Sequence, residues 1–293
     1  MANLKDLKLR ITSVQSTKKI TSAMKMVAAS KLRRAQNLVE EARPYADRMS
    51  KILQKIALSI DPNASNLPML SGNGKDNIHL ILVMTANRGL CGGFNSNIIR
   101  SARRMINDLI SNQKEVKIFT IGRKGKEALK QEFGHLFVEH FEDFGRKGIS
   151  FPDAEGIASN VIGLFNNGQF DLCHLIYAKF ISAMTQEVTC HQAIPYKTDV
   201  LEDDSNSNYL SYEYEPSEQE ILDSLLPRNL AVQIFKSLLE NGASEQGARM
   251  TAMDNATRNA GEMIDKLTLK YNRTRQAQIT TELIEIISGA EAV

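Results

Sequence analysis

Cysteine is scarce in this chain of 293 residues: Cys91, Cys173 and Cys190 are odd in number and far apart. That spacing excludes a disulfide framework and a zinc site built on thiolates. Long apolar runs are missing too. No segment approaches the roughly 18 consecutive apolar residues that a membrane-spanning helix needs, and no short apolar run near Met1 reads as a secretory signal. A patterned helix begins almost at Met1 and leaves no Arg- and Ser-rich leader ahead of it, so a soluble bacterial cytoplasmic product is expected. Phosphate-cradling motifs are also absent, since neither G-x-G-x-x-G nor G-x-x-x-x-G-K-[ST] occurs. The five histidines, His79, His135, His140, His174 and His191, lie in or beside expected strands without metal-ligand spacing. Structural or surface roles are their default reading, and no cofactor or metal is expected.

What the chain has is a sustained heptad pattern at both ends. Apolar residues step by three and four through Leu4, Leu7, Ile11 and Val14, and resume at Ala28, Leu32, Ala35 and Val39. They continue through Met49, Leu53 and Ile56 to Ile60. Such a run describes a coiled-coil seam rather than a helix lying on a globule. Between the two stretches the seam turns polar at Lys18, Thr21 and Lys25, which costs stability and fixes register. Pro44 lies inside the pattern and is expected to bend the helix. Near the other end Leu239, Ala243, Gln246, Met250, Met253, Thr257, Ala260, Ile264, Leu267 and Tyr271 step likewise, after which the apolar positions move to Ile279, Leu283 and Ile287. A helix from Pro227 to Gly289 would be about 90 Å long. Two seams at opposite ends of one chain can cover each other by folding back antiparallel.

The middle of the chain alternates strands and helices. Strands are expected at Ile78–Met84, Val116–Ile121, Leu172–Phe180 and Val188–Pro195. Helices are expected at Ser96–Ile110, Lys124–Lys130 and Asp153–Phe165, with a mixed stretch over Leu136–Phe144. This order implies an α/β domain with a mostly parallel sheet. Asp61–Asn77 reads as a linker, and Glu202–Glu220, acidic and rich in Ser and Asn, as a solvated loop. The expected division is therefore an N-terminal coiled-coil helix over 1–60, an α/β domain with linkers over 61–220, and a C-terminal coiled-coil helix over 221–293.

The segment most like an enzyme site is Arg88-Gly89-Leu90-Cys91-Gly92-Gly93-Phe94-Asn95, a glycine-rich turn between a strand and a helix. Without a phosphate-binding spacing it reads first as a tight structural turn, then as a partner contact, and last as a phosphate site. Met24, Met26, Met250 and Met253 read as gap-fillers of the seam. Up to Lys55 the chain carries thirteen bases against four acids, which suits an anionic or acidic-lined partner. The cluster Lys18, Lys19, Lys25, Lys31, Arg33 and Arg34 has no interleaved aromatic residues for base stacking, so a solvated face outranks a nucleic-acid patch.

Several of these segments resemble the γ subunits of F-type ATP synthases. Ile20-Thr21-Ser22-Ala23-Met24-Lys25-Met26-Val27-Ala28-Ala29-Ser30-Lys31-Leu32 is similar to that family's first helix. Arg88–Asn95 resembles its α/β-domain motif, with Ala86-Asn87 where Ser-Asp is more usual. The most specific match is Ala248-Arg249-Met250-Thr251-Ala252-Met253 together with Arg275-Gln276-Ala277-Gln278-Ile279-Thr280-Thr281-Glu282-Leu283-Ile284 and the residues on to Ala290. The similarity spans nearly the whole chain in the same order. It implies a non-catalytic rotor stalk that couples rotation, driven by ion flow through a c-ring, to ATP synthesis in the β subunits. Its implied partners are a hexamer of α and β subunits, the ε subunit and the c-ring. Its implied place is the cytoplasmic face of a bacterial inner membrane, held there peripherally. The residues it places against partners are Met24, Lys25, Arg249, Arg275, Gln276 and Glu282. A redox-regulated branch of the family carries a cysteine-containing insert, and this chain lacks a close cysteine pair.

Two other functions stay open on sequence: a nucleotide-binding α/β enzyme with helical arms, and a coiled coil that binds nucleic acid. Within the coiled coil the preferred register sets Leu4 against Tyr271, Leu7 against Leu267, Ile11 against Ile264, Val14 against Ala260 and Ala28 against Gln246. Residues beyond about Ile279 then have no partner in the chain, and their apolar side chains call for a cover from outside.

Overall fold

A computed structural model describes residues 4–59, 67–142, 148–196 and 218–291. The chain opens with α1 (Leu4–Ser59) and closes with α6 (Glu218–Glu291), helices of 56 and 74 residues. Between them lie α2 (Pro68–Ser71), β1 (Ile78–Met84), α3 (Phe94–Ser111), β2 (Glu115–Ile121) and α4 (Arg123–Phe133). A single 3₁₀ turn (Gly134–Leu136) then leads to β3 (Phe137–Phe141), α5 (Phe151–Asn166), β4 (Leu172–Phe180) and β5 (Gln186–Ile194). They form two compact units. One holds the described residues up to Ser30 and from Arg249 onward; the other is Lys31–Ala248.

The larger unit is built on a five-stranded sheet in the order β3-β2-β1-β4-β5. β1, β2, β3 and β4 run parallel, and β5 returns antiparallel beside β4. β1 reads Ile-His-Leu-Ile-Leu-Val-Met and is buried from His79 onward, as a strand covered on both faces must be. Successive side chains point to opposite faces. Leu80, Leu82 and Met84 therefore join one core with Ile157 and Val161 of α5 and Leu230, Ile234 and Leu238 of α6. Ile81 and Val83 join the other, with Ile98, Ala102 and Ile106 of α3 and Leu129 of α4. A third cluster packs Met49, Leu53 and Ile56 of α1 on Leu67, Tyr196, Leu222 and Leu226. The mixed α/β class and the four expected strands are all present.

Sequence and structure differ at the elements with weak patterns. β3 stands within the stretch read only as mixed; it is short, sits at the sheet edge and is only partly buried. α6 starts nine residues ahead of Pro227 and continues through it. The side chains of Leu222 and Leu226 are buried on the third core, and this tertiary packing outweighs the one backbone hydrogen bond that proline removes. Pro44 likewise sits inside α1 without ending it. Part of the expected linker, Pro68–Ser71, is a single helical turn. Residues 61–66 of that linker, 143–144 of the mixed stretch and 202–217 of the acidic loop lie outside the described residues.

The smaller unit is an antiparallel pair of helix segments. Leu7 and Ala28 are buried on α1, as are Met253 and Ala260 on α6. Leu4, Ile11 and Val14 are half-buried, and so are Ile264, Leu267 and Tyr271. The apolar steps read from the sequence thus mark the covered faces. Met26 is an exception among the expected gap-fillers: it follows seam residue Lys25 by one position, about 100° around the helix, and is 65% exposed.

Candidate functional site

The polar interruption of the seam faces a polar interruption on α6. Thr257 Oγ1 lies 2.8 Å from Thr21 Oγ1, and the Thr21 hydroxyl also reaches the Lys18 carbonyl. One turn away, Lys25 Nζ is 2.6 Å from Asp254 Oδ1, and this contact holds the Asp254 carboxyl below its ordinary range. On the other side the Lys18 ammonium lies where a Cβ on Gly261 would be 3.3 Å away, so glycine leaves it room. These three pairs fix the register. It differs from the expected one by a single seam step of four residues: Thr21 is level with Thr257 rather than Met253, and the same offset sets Leu7 level with Tyr271. The physical reason is that this register adds a bond between the two hydroxyls and the Lys25–Asp254 ion pair, whereas the apolar layers are largely kept in either register.

The register also sets where the coil stops. Thr274 is the last half-buried residue of α6, and every residue from Arg275 to Ala290 is exposed. Ile279, Leu283, Ile284, Ile286 and Ile287 are 49–72% exposed. Among the residues singled out as contacts, Arg275, Gln276 and Glu282 lie on this exposed tip, whereas Met24, Lys25 and Arg249 are half-buried. The sequence signal thus divides into a bare tip and a polar zone of the coil.

The glycine-rich turn is organised by its own side chains. Asn95 Oδ1 accepts the Ala86 amide at 2.9 Å, and its Nδ2 is 3.1 Å from the buried Cys91 sulfur. Leu90 (φ 63°) and Gly92 (φ 57°) turn the chain into α3. Next to it, Gly122 at φ +100° admits the closest approach among the described glycines: a Cβ there would sit 2.2 Å from the Thr85 carbonyl oxygen. Thr85 Oγ1 in turn accepts the Gly125 amide at 2.8 Å.

In open α/β sheets ligands bind beyond the carboxyl ends of the strands, where the strand order reverses. Here that place lies at the ends of β1 and β4, and the chain's own helices occupy it. β1 pairs with β4 only as far as Val83 and Ile176, while β4 runs on to Phe180. The overhanging backbone is capped by side chains. Asn241 Oδ1 accepts the Ala178 amide at 3.1 Å, and Ser244 Oγ donates to the Ala178 carbonyl at 2.9 Å. Arg43 Nη2 donates to the Phe180 carbonyl at 3.2 Å. The same nitrogen is 3.6 Å from Oε1 of Glu240, a carboxylate only 2% exposed. Burial, aided by that carboxylate, pushes the Tyr177 phenol up to about 12. None of Arg43, Glu240, Asn241 and Ser244 was singled out from sequence. The available signal was a polar run at 240, 241 and 244 inside the otherwise apolar helix face of Leu238, Leu239 and Ala243.

The histidines are structural groups where they are buried. His79 and His174 stack with ring centroids 5.4 Å apart, and Nδ1 of one lies 3.2 Å from Nε2 of the other. Burial lowers the His79 pKa below its ordinary value, against the opposing pull of Asp76. No cluster of His, Cys, Asp or Glu able to hold a metal ion occurs among the described residues. No helix there is long and apolar enough to cross a membrane.

One unit is a five-stranded α/β sheet capped at its switch point by side chains of the chain's own helices, and the other is an antiparallel pair of long helix segments; together they define a protein of mixed α/β and coiled-coil class. A family model described as ATP synthase matches residues 3–293. The ATP synthase gamma chain of Paramagnetospirillum magneticum is 55% identical over 294 residues, and that of Rhodospirillum rubrum 56% identical over 299, with 100% of both chains covered in each case. The chain belongs to the ATP synthase gamma chain family. Among solved structures, the central stalk/c-ring structure of the Tetrahymena thermophila mitochondrial ATP synthase contains a chain 25% identical to this one, at a TM-score of 0.61. That match covers 81% of this chain and 99% of the other. A chain of the Euglena gracilis mitochondrial enzyme shares the fold at a TM-score of 0.69 and 19% identity, covering 99% and 94%.

Proposed function

We propose that the chain turns as the central stalk of an F-type ATP synthase and itself catalyses nothing. In this reading the coil stands in a hexamer of alternating α and β subunits, and the α/β body meets the c-ring and the ε subunit. The complex is held peripherally at the cytoplasmic face of the bacterial inner membrane. The observation that carries the reading is the tip of α6, exposed from Arg275 to Ala290 and bearing five large apolar side chains. Such a surface calls for a cover, and a sleeve of surrounding subunits supplies one. The crevice filled by α6 favours a shaft over a nucleotide-binding enzyme. Met24, Lys25, Arg249, Arg275, Gln276 and Glu282 are the proposed contacts to the β subunits, and the basic N-terminal helix suits acidic loops there.

A shaft with different faces at one height stabilises a different conformation in each otherwise equal catalytic site. Rotation then changes their nucleotide affinities in turn. The test is to replace Lys25 or Arg249 by alanine and assay ATPase and ion pumping together in membranes. Pumping that falls further than ATPase, with the complex intact, supports the reading. Equal loss of both with subunits missing contradicts it.

A further inference from the structure

A stalk must do more than fit its sleeve: a twist applied to the sheet has to reach the two long helices without slipping. Apolar packing resists separation but is not directional, whereas a hydrogen bond depends on angle as well as distance. The directional contacts between helices and sheet concentrate at the end of β4. Asn241 and Ser244 tie α6 to the Ala178 backbone. Arg43 ties α1 to the Phe180 carbonyl and, through Glu240, reaches α6. Arg43 is thus the side chain that meets α1, α6 and β4 together. Glu240 is placed as a group held for geometry rather than for stability: it is buried, its Oε2 has no hydrogen-bond partner, and its Arg43 contact is longer than a direct bond. Two other polar ties of α1 in this unit reach a single neighbour each. Ser50 meets the Tyr196 hydroxyl at 2.8 Å, and Asp47 meets Lys236 at the surface at 3.1 Å.

We propose that Arg43 and Glu240 form a torque-bearing joint that makes α1 and α6 turn with the sheet as one body. This rests on the rotor reading. Arg43 and Glu240 are positioning residues: they touch no nucleotide and act through the stiffness of the shaft. An arginine suits the place because its planar guanidinium holds its N–H donors in a rigid, pre-organised plane and stays charged, whereas a lysine offers a flexible point charge.

The test uses the assembled complex carrying Arg43→Met, Arg43→Lys or Glu240→Gln, with Asp47→Asn as the control at the exposed pair. The readouts are the ratio of ion pumping to ATP hydrolysis and the angular spread of the stalled rotor in single molecules. Arg43→Met and Glu240→Gln are expected to broaden the angular spread and lower the pumping ratio several-fold while hydrolysis persists. Arg43→Lys is expected to restore part of the loss, and Asp47→Asn to change neither readout. Because the two residues act as a unit, the double variant should be no worse than Arg43→Met. Unchanged stiffness and coupling in an assembled Arg43→Met complex would overturn the joint and leave the rotor reading standing. Failure of the unaltered chain to assemble with α and β subunits would overturn the rotor reading itself. If only Arg43→Met fails to assemble, Arg43→Lys decides by the same two readouts, wild-type stiffness and coupling counting against the joint.

Discussion

Thr21 and Thr257, 236 residues apart in sequence, bring their hydroxyl oxygens to 2.8 Å across the coiled coil. A disulfide needs Cα atoms roughly 4.4–6.8 Å apart, which facing seam positions provide. The pair Thr21→Cys with Thr257→Cys is therefore expected to cross-link on mild oxidation. Leu7→Cys with Leu267→Cys, one seam step out of register, is expected to cross-link far less. The reverse yields would move the register back to the one the apolar steps alone preferred.

The same hydroxyl pair has a stability value. Thr257→Val removes one partner and is expected to lower stability by about 1 kcal/mol, the net worth of a typical hydrogen bond. Adding Thr21→Val should recover part of that loss, because two apolar groups then meet. Denaturant midpoints of the single and double variants measure the difference.

How much was legible from sequence depends on what each pattern had to distinguish. The covered faces of both long helices could be read because a three-and-four step is unlike any other period. β1 and β4 could be read because strands covered on both faces are mostly apolar, β1 but for His79 and β4 but for His174 and Lys179. The register could not be read from apolar steps, since shifting Leu7 from Leu267 to Tyr271 exchanges one apolar partner for another. The alignment of Thr21 with Thr257, and of Lys25 with Asp254, held the missing information. β3 escaped because an edge strand needs few apolar residues. The joint at Arg43 escaped because its hydrogen-bond acceptor is a backbone carbonyl, that of Phe180, which no sequence pattern displays.

Two glycines give opposite outcomes with the same substitution. Gly122→Ala places a Cβ against the Thr85 carbonyl at a φ of +100° and is expected to cost about 2–4 kcal/mol. Gly163→Ala, on the exposed face of α5 with nothing within 4 Å of the new Cβ, is expected to stabilise by about 0.5–1 kcal/mol. Thermal unfolding of the two variants separates the effects by sign.

Acid should act through His79. Burial keeps its folded pKa below the ordinary 6.5, so the unfolded chain takes up the proton first as pH falls. The stability it contributes is present above pH 6.5 and is lost as pH drops through the folded value. The lowered carboxyls of Asp76 and Asp171 add their own loss further down, below their ordinary value of 3.8. The melting temperature is expected to fall between about pH 7.5 and about pH 5.5, and His79→Gln should flatten that slope. An unchanged slope would assign the acid sensitivity elsewhere.

The most direct measurement of the central claim is co-expression of this chain with the α and β subunits of the same organism, followed by purification through a tag on β. The predicted result is one complex that contains this chain and hydrolyses ATP, and that loses the chain's retention when residues 275–291 are removed. Recovery of an α and β complex without this chain, or retention indifferent to that deletion, would contradict the seating of the exposed tip within the hexamer.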